Sequence, residues 1–272
     1  MSLMQARRAA FVAISVSLLT LSAAGPAAAI TASCDYNSSN HRLTISLSGG
    51  GTKTLSRSSD GKILIGGAWC DFATVTNTDR IVVLAGANFQ FLFIDLVNGG
   101  FKPGFTDEPG SSDEIEMSVS LGGGSDAVYV KGTDNDDHIV VGKSSGYFVL
   151  GKINLNAAEA TGVDADVTLI LGIEEVVPFG YGGGDTISGA GGSGTGDTFA
   201  SFMRIEGGNG GDTLTGSSVR DTIYGDAGLD VIKGLGGADE LDALDGAGGD
   251  QIFGGNGNDD CLADPGDQLT SC

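Results

Sequence analysis

The sequence contains little of the chemistry on which most enzyme active sites depend. Its 272 residues include two histidines, His41 and His138, so the metalloprotease motif H-E-x-x-H cannot occur. One match to G-x-S-x-G, at Gly142–Gly146, has no histidine after its serine, which an α/β-hydrolase requires. The chain is therefore not expected to be an enzyme. Paired carboxylates acting on a polysaccharide remain an alternative, because acidic residues are plentiful.

Basic residues are also scarce. Lysine and arginine together number 14 against 35 aspartates and glutamates, which gives a formal net charge of −21. This balance disfavours nucleic acid as a partner, because phosphate binding needs clustered positive charge. It suits the binding of cations or plain solubility.

Cysteine is limited to four residues, with no C-x-x-C pair of the kind that structural zinc sites use. Two cysteines lie near each end of the chain that follows residue 29. Pairing of Cys34 with Cys70 and of Cys261 with Cys272 is the simplest of the three possible connectivities. Disulfides imply an oxidising compartment.

The N-terminus indicates how the chain would reach such a compartment. Arg7 and Arg8 precede an apolar run over Phe11–Ala24, and Ala27–Ala29 forms an A-x-A cleavage site. The run is too short for a typical membrane span, and no later segment is long and apolar enough to be one. We expect residues 1–29 to be a signal peptide and the mature protein to be secreted, without a membrane span.

Helical periodicity is missing beyond the signal segment, whereas short runs rich in β-branched and aromatic residues are frequent. These runs predict strands in an all-β protein. They are His41–Leu47, Ile63–Ile65, Ile81–Leu84, Phe91–Leu96, Tyr147–Leu150 and Val167–Leu171.

Glycine is abundant, with 47 residues, and it surrounds evenly spaced aspartates near the C-terminus. Within Gly207–Leu241 four aspartates follow one another at intervals of nine residues, each with an aliphatic residue two positions later. The aspartates are Asp212, Asp221, Asp230 and Asp239, and the aliphatic residues are Leu214, Ile223, Ile232 and Leu241. They match the nonapeptide G-G-x-G-x-D-x-U-x, where U is a large aliphatic residue.

Further copies of this repeat extend in both directions. Asp250 and Asp259 follow similar glycine-rich turns, although Asp250 is two residues out of phase, and we expect this slip to interrupt the series. Weaker copies upstream keep the aspartate and the aliphatic residue but lose glycines, and they place candidate ligands at Asp126, Asp137, Asp185 and Asp197. The turn before Asp221 has few glycines and places Arg220 beside it, which predicts a weak site.

The spacing predicts where these side chains meet. A short strand at D-x-U followed by a glycine-rich reversal makes two nonapeptides one coil of 18 residues, and neighbouring coils stack about 4.8 Å apart. Leu214 then lies beside Ile232, Asp212 beside Asp230, and Asp221 beside Asp239 on the opposite edge. Stacked carboxylates and turn carbonyls favour a hard cation with flexible oxygen coordination, which describes Ca²⁺ better than Mg²⁺.

The C-terminal third resembles the RTX, or haemolysin-type, calcium-binding repeat family. The resemblance implies a right-handed parallel β-roll, or β-solenoid, with several calcium ions between its turns. We expect an irregular capping region over residues 30–120 and a more regular roll over 121–272. The implied function is secreted calcium binding. An extracellular adhesive or structural solenoid, with a cell-surface or glycan partner, is the alternative, and a polysaccharide-acting enzyme is less favoured.

Overall fold

The computed structural model describes residues 30–106, 114–144, 150–155 and 165–272, and within them the protein is all-β. None of these residues forms a helix. The described part of the chain accordingly holds no helix able to cross a membrane. The expected signal peptide and residues 147–149 of the predicted strand Tyr147–Leu150 lie outside the described residues. The other predicted strands are present, displaced by no more than two residues at either end.

The larger of two sheets contains 13 strands. In spatial order these are β1 (Thr31–Asn37), β2 (Arg42–Ser48), β6 (Arg80–Leu84), β8 (Glu116–Ser120), β12 (Val167–Leu169), β11 (Gly151–Asn154), β10 (His138–Lys143), β14 (Thr186–Ser188), β17 (Thr213–Thr215), β19 (Val231–Lys233), β21 (Gln251–Phe253) and β23 (Gln268–Thr270), with β15 (Asp197–Thr198) also beside β10.

The smaller sheet contains ten strands. In spatial order they are β22 (Asp260–Leu262), β20 (Glu240–Asp242), β18 (Thr222–Ala227), β16 (Phe202–Asn209), β13 (Glu175–Gly182), β9 (Ala127–Lys131), β7 (Gln90–Asp95), β3 (Gly51–Arg57), β4 (Lys62–Ile65) and β5 (Ala68–Thr74). From β16 to β23, successive strands alternate between the two sheets.

The pairing in this alternating part is parallel and has the predicted register. Leu214 pairs with Ile232, and Ile223 pairs with Leu241. These four side chains are fully buried, and they extend the column of apolar residues that begins in the N-terminal half. A coil of 18 residues therefore brings each aliphatic residue over its counterpart, as the nonapeptide spacing predicts.

The N-terminal half is less regular because it mixes parallel with antiparallel pairs. The antiparallel pairs are β1 with β2, β3 with β4, β4 with β5, β10 with β11, β11 with β12, and β10 with β15. Both sheets continue across residues 120 and 121, where the capping region was expected to end.

Disulfides lie at both ends of the described chain, with the predicted pairing. Cys34 of β1 is bonded to Cys70 of β5, which links an outermost strand of the larger sheet to an outermost strand of the smaller sheet. Cys261 of β22 is bonded to Cys272, beyond β23. The described residues contain no free cysteine. Disulfides of this kind are typical of an oxidising, extracellular-type environment.

Candidate metal centre

Two columns of aspartates follow the turns that connect the sheets. The first column stands where the chain enters the larger sheet, directly before β10, β14, β17, β19, β21 and β23, and consists of Asp137, Asp185, Asp212, Asp230, Asp250 and Asp267. The second column stands where the chain enters the smaller sheet, directly before β18, β20 and β22, and consists of Asp221, Asp239 and Asp259. The predicted pairs Asp212 with Asp230, and Asp221 with Asp239, are thus stacked.

Each column is held by one repeated hydrogen bond. The backbone N–H of Asp212 donates to Oδ1 of Asp230 at 2.9 Å, and the N–H of Asp221 donates to Oδ1 of Asp239 at 2.8 Å. The same bond links Asp137 to Asp185, Asp185 to Asp212, Asp230 to Asp250, Asp239 to Asp259, and Asp250 to Asp267. Each bond is accepted by Oδ1 and leaves Oδ2 of the same carboxylate outside this series.

The expectation that the phase slip before Asp250 interrupts the column is wrong. Asp230 and Asp250 are 20 residues apart rather than 18, yet their hydrogen bond is 2.8 Å long. The two extra residues are taken up in the turn after β20, where Asp264 Oδ2 accepts the N–H groups of Asp245 and Gly246. The chain therefore returns to register before the next strand begins.

The second carboxylate oxygen, Oδ2, has no hydrogen-bond donor in several of these aspartates. In Asp185, Asp212, Asp230 and Asp239 the Oδ2 atom is buried and receives no hydrogen bond, and these residues are at most 2% exposed. Asp259 Oδ2 is likewise buried and without a donor, and so is Asp126 Oδ2. A buried acceptor left without a donor costs about 1–3 kcal/mol, so several in one small protein need a partner, which a bound ion, a water molecule or a proton can supply.

A glycine stands five residues before each column aspartate whose Oδ2 is buried without a donor, and it leaves room beside that oxygen, whereas Leu121 takes that position before Asp126. A Cβ placed on Gly207 would lie 2.5 Å from Asp212 Oδ2 and 2.7 Å from the carbonyl oxygen of Gly225 in the next coil. A Cβ on Gly225 would lie 2.5 Å from Asp230 Oδ2, and one on Gly254 would lie 2.6 Å from Asp259 Oδ2. Glycine therefore keeps a carboxylate oxygen and a turn carbonyl facing one small space.

We call a turn closed where the residue four positions before the aspartate donates to Oδ2, and open where no donor reaches that oxygen. This residue differs between the two kinds of turn. In open turns it has positive φ, as in Gly208 (110°) before Asp212 and Gly255 (99°) before Asp259, and no donor reaches Oδ2. Three open turns hold this conformation with a non-glycine residue, at a cost of about 1–3 kcal/mol each. These are Tyr181 (74°), Asp226 (64°) and Leu235 (72°).

Closed turns have serine or threonine at that position, with ordinary negative φ. Ser217 donates its N–H to Asp221 Oδ2 at 2.5 Å and its hydroxyl to Oδ1 at 3.0 Å. Thr133 donates its N–H to Asp137 Oδ2 at 2.6 Å and its hydroxyl to the same oxygen at 3.1 Å. The turn itself thus supplies hydrogen-bond donors to both aspartates, and the weak site expected at Asp221 stays a prediction.

Burial raises the pKa values of aspartates in both columns. Burial raises the pKa of Asp185 and Asp230 to about 7, and that of Asp239 to about 6, with neighbouring aspartates adding to each effect. Burial likewise raises the pKa of Asp212 and Asp250. Asp221 also reaches about 7 through burial, although the donors of Ser217 and Met203 act against it.

The remaining predicted ligands lie elsewhere. Asp197 is exposed on the antiparallel strand β15 and joins neither column. Asp126 is buried at the start of β9, where its Oδ1 accepts the N–H of Gln90. Sequence reasoning missed Asp267, because a Pro-Gly turn precedes it rather than a glycine-rich repeat. Its spacing of 17 residues from Asp250 is the signal that identifies it.

The donor set in the open turns consists of hard oxygen atoms. In the described residues, no three side chains of histidine, cysteine, aspartate or glutamate converge as a metal cluster. Any cation here would therefore combine one carboxylate per coil with backbone carbonyls, a set that suits Ca²⁺ because it accepts six to eight oxygens in flexible geometry. The buried Oδ2 atoms without a hydrogen-bond donor fit such an ion.

A separate cavity of about 110 Å³ lies between the sheets in the irregular half. Asp166 and Glu114 line it as a hydrogen-bonded pair, and burial raises the pKa of Asp166 to about 9. Binding pockets for small organic ligands usually measure about 300–1,000 Å³. This cavity is smaller than that range.

No protein-family model, curated protein or solved structure matches the chain.

Proposed function

We propose that this chain is a secreted calcium-binding protein whose glycine- and aspartate-rich coils fold around several Ca²⁺ ions as a right-handed parallel β-roll. The parallel pairing and the alternation of strands between two sheets from β16 to β23 support the roll. The repeat resembles the RTX nonapeptide, and both disulfides suit an oxidising exterior.

The observation that carries this proposal is the set of buried, unpartnered Oδ2 atoms at Asp185, Asp212, Asp230, Asp239 and Asp259. Without a cation these oxygens are desolvated and close to other carboxylates, so the calcium-free coils are strained. Ca²⁺ would supply the missing partner, and turn carbonyls such as that of Gly225 would complete its shell. Binding energy then becomes folding energy.

The ion's chemical role is structural rather than catalytic. The proposed ligands are carboxylates and backbone carbonyls, and most of the carboxylates are buried. Extracellular calcium modules bind with dissociation constants of about 10⁻⁴–10⁻³ M, so external calcium would load the coils and cytosolic calcium would not. The roll would therefore complete its folding after export.

A calcium titration of residues 30–272 tests the proposal, with far-UV circular dichroism and thermal unfolding as readouts. We expect Ca²⁺ to raise the melting temperature by several degrees and Mg²⁺ to raise it much less. In Asp259→Asn, calcium should raise the melting temperature by less than it does in the wild-type chain. The matched control is Asp260→Asn, because Asp260 is the next residue and its side chain is exposed. A melting temperature that does not respond to calcium would contradict the proposal.

A further inference from the structure

In the irregular half, residues other than column aspartates stand where the chain enters the smaller sheet, the position that the second column occupies in the regular half. Turns after β6, β8 and β12 lead from the larger sheet to the smaller one, and they end at Gln90, Asp126 and Glu174. The residues that follow are paired in register, Phe91 with Ala127 and Ala127 with Glu175. The three side chains therefore begin neighbouring strands, much as the aspartates of the second column do.

The same kind of hydrogen bond links them. The N–H of Gln90 donates to Asp126 Oδ1 at 2.5 Å, and the N–H of Asp126 donates to Glu174 Oε2 at 2.7 Å. The amide Nε2 of Gln90 donates to the carbonyl oxygen of Gly49 at 3.1 Å. These bonds orient both side chains and use one polar atom of each.

The other polar atom of each side chain has no partner. Gln90 Oε1 and Asp126 Oδ2 are both buried without a donor, and the two residues are 0% and 2% exposed. Both atoms are acceptors, so they cannot satisfy one another. The charged group that acts on Asp126 is Glu174, which has the same sign.

Backbone carbonyls approach the same turn closely. A Cβ on Gly124 would lie 2.8 Å from the carbonyl oxygen of Asn88, and one on Gly122 would collide with the carbonyl oxygen of Gly86. Both glycines have positive φ, 148° and 87°, which side chains would resist. The turn before Asp126 thus packs against carbonyls of the turn before Gln90, as adjacent turns do in the open coils.

We propose that Gln90 and Asp126 hold a further divalent cation outside the nonapeptide repeats, through an amide oxygen and a carboxylate oxygen. The inference rests on the proposed function in one respect, namely that the ion is Ca²⁺. An amide oxygen and a carboxylate are both ordinary calcium ligands. The repeat pattern indicates Asp126 as a candidate ligand but not Gln90, because the glutamine lies outside any D-x-U copy.

The site would connect the two halves of the molecule. β7 and β9 are neighbours in the smaller sheet, and β9 pairs with β13, which leads into the regular coils. A cation between Gln90 and Asp126 would fix the register of β9 on β7, one strand beyond the parallel pair of β3 with β7. Calcium would then stabilise the irregular half as well as the nonapeptide coils.

Counting bound calcium by equilibrium dialysis tests the inference. Relative to the wild-type chain, Asp126→Asn should lose one bound ion, while Asp134→Asn, a change at an exposed turn residue of the same type, should lose none. Asp230→Asn separately measures whether the nonapeptide repeats bind calcium, because Asp230 belongs to them. Asparagine can donate its Nδ2–H to Gln90 Oε1, so Asp126→Asn should also fold and melt several degrees higher than wild type without calcium.

The outcomes separate the two proposals. Normal stoichiometry in Asp126→Asn with a loss in Asp230→Asn would overturn the inference and leave the proposed function standing. The reverse pattern would overturn the proposed function alone, and an absence of bound calcium in the wild-type chain would overturn both.

A second variant, Gln90→Glu, tests the inference independently in case Asp126→Asn fails to fold. Gln90→Glu should bind its ion severalfold more tightly if a cation lies here. If instead a proton on Asp126 satisfies Gln90, the same change should leave calcium affinity unaltered, which would also overturn the inference.

Discussion

Ser217 closes the turn of Asp221 by donating its backbone N–H to Oδ2 at 2.5 Å and its hydroxyl to Oδ1 at 3.0 Å. At Asp239, one coil further along the same column, Leu235 takes that position with φ of 72°, and Oδ2 is left without a donor. Two aspartates in one column thus differ in whether Oδ2 has a hydrogen-bond donor, and the difference comes from a residue four positions away.

Replacing Ser217 with glycine should therefore open the closed turn. Glycine removes the hydroxyl donor and permits positive φ at little cost. We expect Ser217→Gly to bind one more Ca²⁺ ion than the wild-type chain, measured by equilibrium dialysis. Ser218→Gly is the matched control, because the Ser218 hydroxyl donates to Phe199 O and does not contact Asp221. An unchanged count in Ser217→Gly would show that closure has another cause.

Filling the space beside Asp230 should have the opposite effect. In Gly225→Ala the new Cβ would lie 2.5 Å from Asp230 Oδ2 and 3.2 Å from Ile232 Cδ1. We expect one fewer bound ion and a loss of roughly 1–3 kcal/mol from overpacking, read by calcium binding and urea unfolding. Gly236→Ala should be nearly neutral, because its Cβ would lie 3.7 Å from its nearest neighbour.

The dependence of stability on pH should change sign with calcium. Burial raises the pKa of Asp185, Asp221 and Asp230 to about 7, whereas aspartate in an unfolded chain titrates near 3.9. Between these values the calcium-free folded state holds more protons than the unfolded state, so its stability falls as pH rises from about 4 to above 7.

Calcium competes with those protons, so its affinity should rise over the same range. Melting temperatures measured from pH 4.5 to 8 would therefore decline in chelator and hold or increase in saturating calcium. A calcium-free protein that becomes more stable toward pH 8 would contradict this assignment of the columns.

Removing the C-terminal disulfide should loosen the final coil alone. Cys261 and Cys272 are 11 residues apart, and closing a loop of similar size contributes about 3 kcal/mol. The double variant Cys261→Ala/Cys272→Ala should speed amide hydrogen exchange in β22 and β23 and weaken calcium at Asp259. Exchange near Leu92 should stay slow, because stacked coils interact mainly with their neighbours. Uniformly faster exchange would indicate a single cooperative unit instead.

The regular half of this fold could be predicted because its spacing has a direct geometric meaning. Glycine-rich reversals between D-x-U segments place Leu214 over Ile232, and the pairing is as expected. The antiparallel strands before residue 200 had no such repeat, so the sequence indicated strands there without indicating their partners. Asp267 escaped notice because it lies 17 residues after Asp250, outside a glycine-rich copy.

Whether an individual turn is open could not be predicted from the aspartate and its glycines. It depends on the backbone conformation four residues earlier, which Tyr181, Asp226 and Leu235 adopt although their side chains disfavour it. Serine and threonine at this position, as in Ser217 and Thr133, are the signal in the sequence that marks a closed turn.

The hydrogen bonds that hold the two columns have a direction along the chain. The donor is always the backbone of an earlier coil, and the acceptor is an aspartate from a later one, as in Asp212 to Asp230 and Asp221 to Asp239. The aspartate N–H of a coil therefore has its acceptor in the following coil, whereas the strand N–H after it donates back to the preceding coil, as Val231 does to the carbonyl oxygen of Asp212. Each interior coil is thus bonded on both sides, and removing the last coil would leave an aspartate N–H of its neighbour without an acceptor.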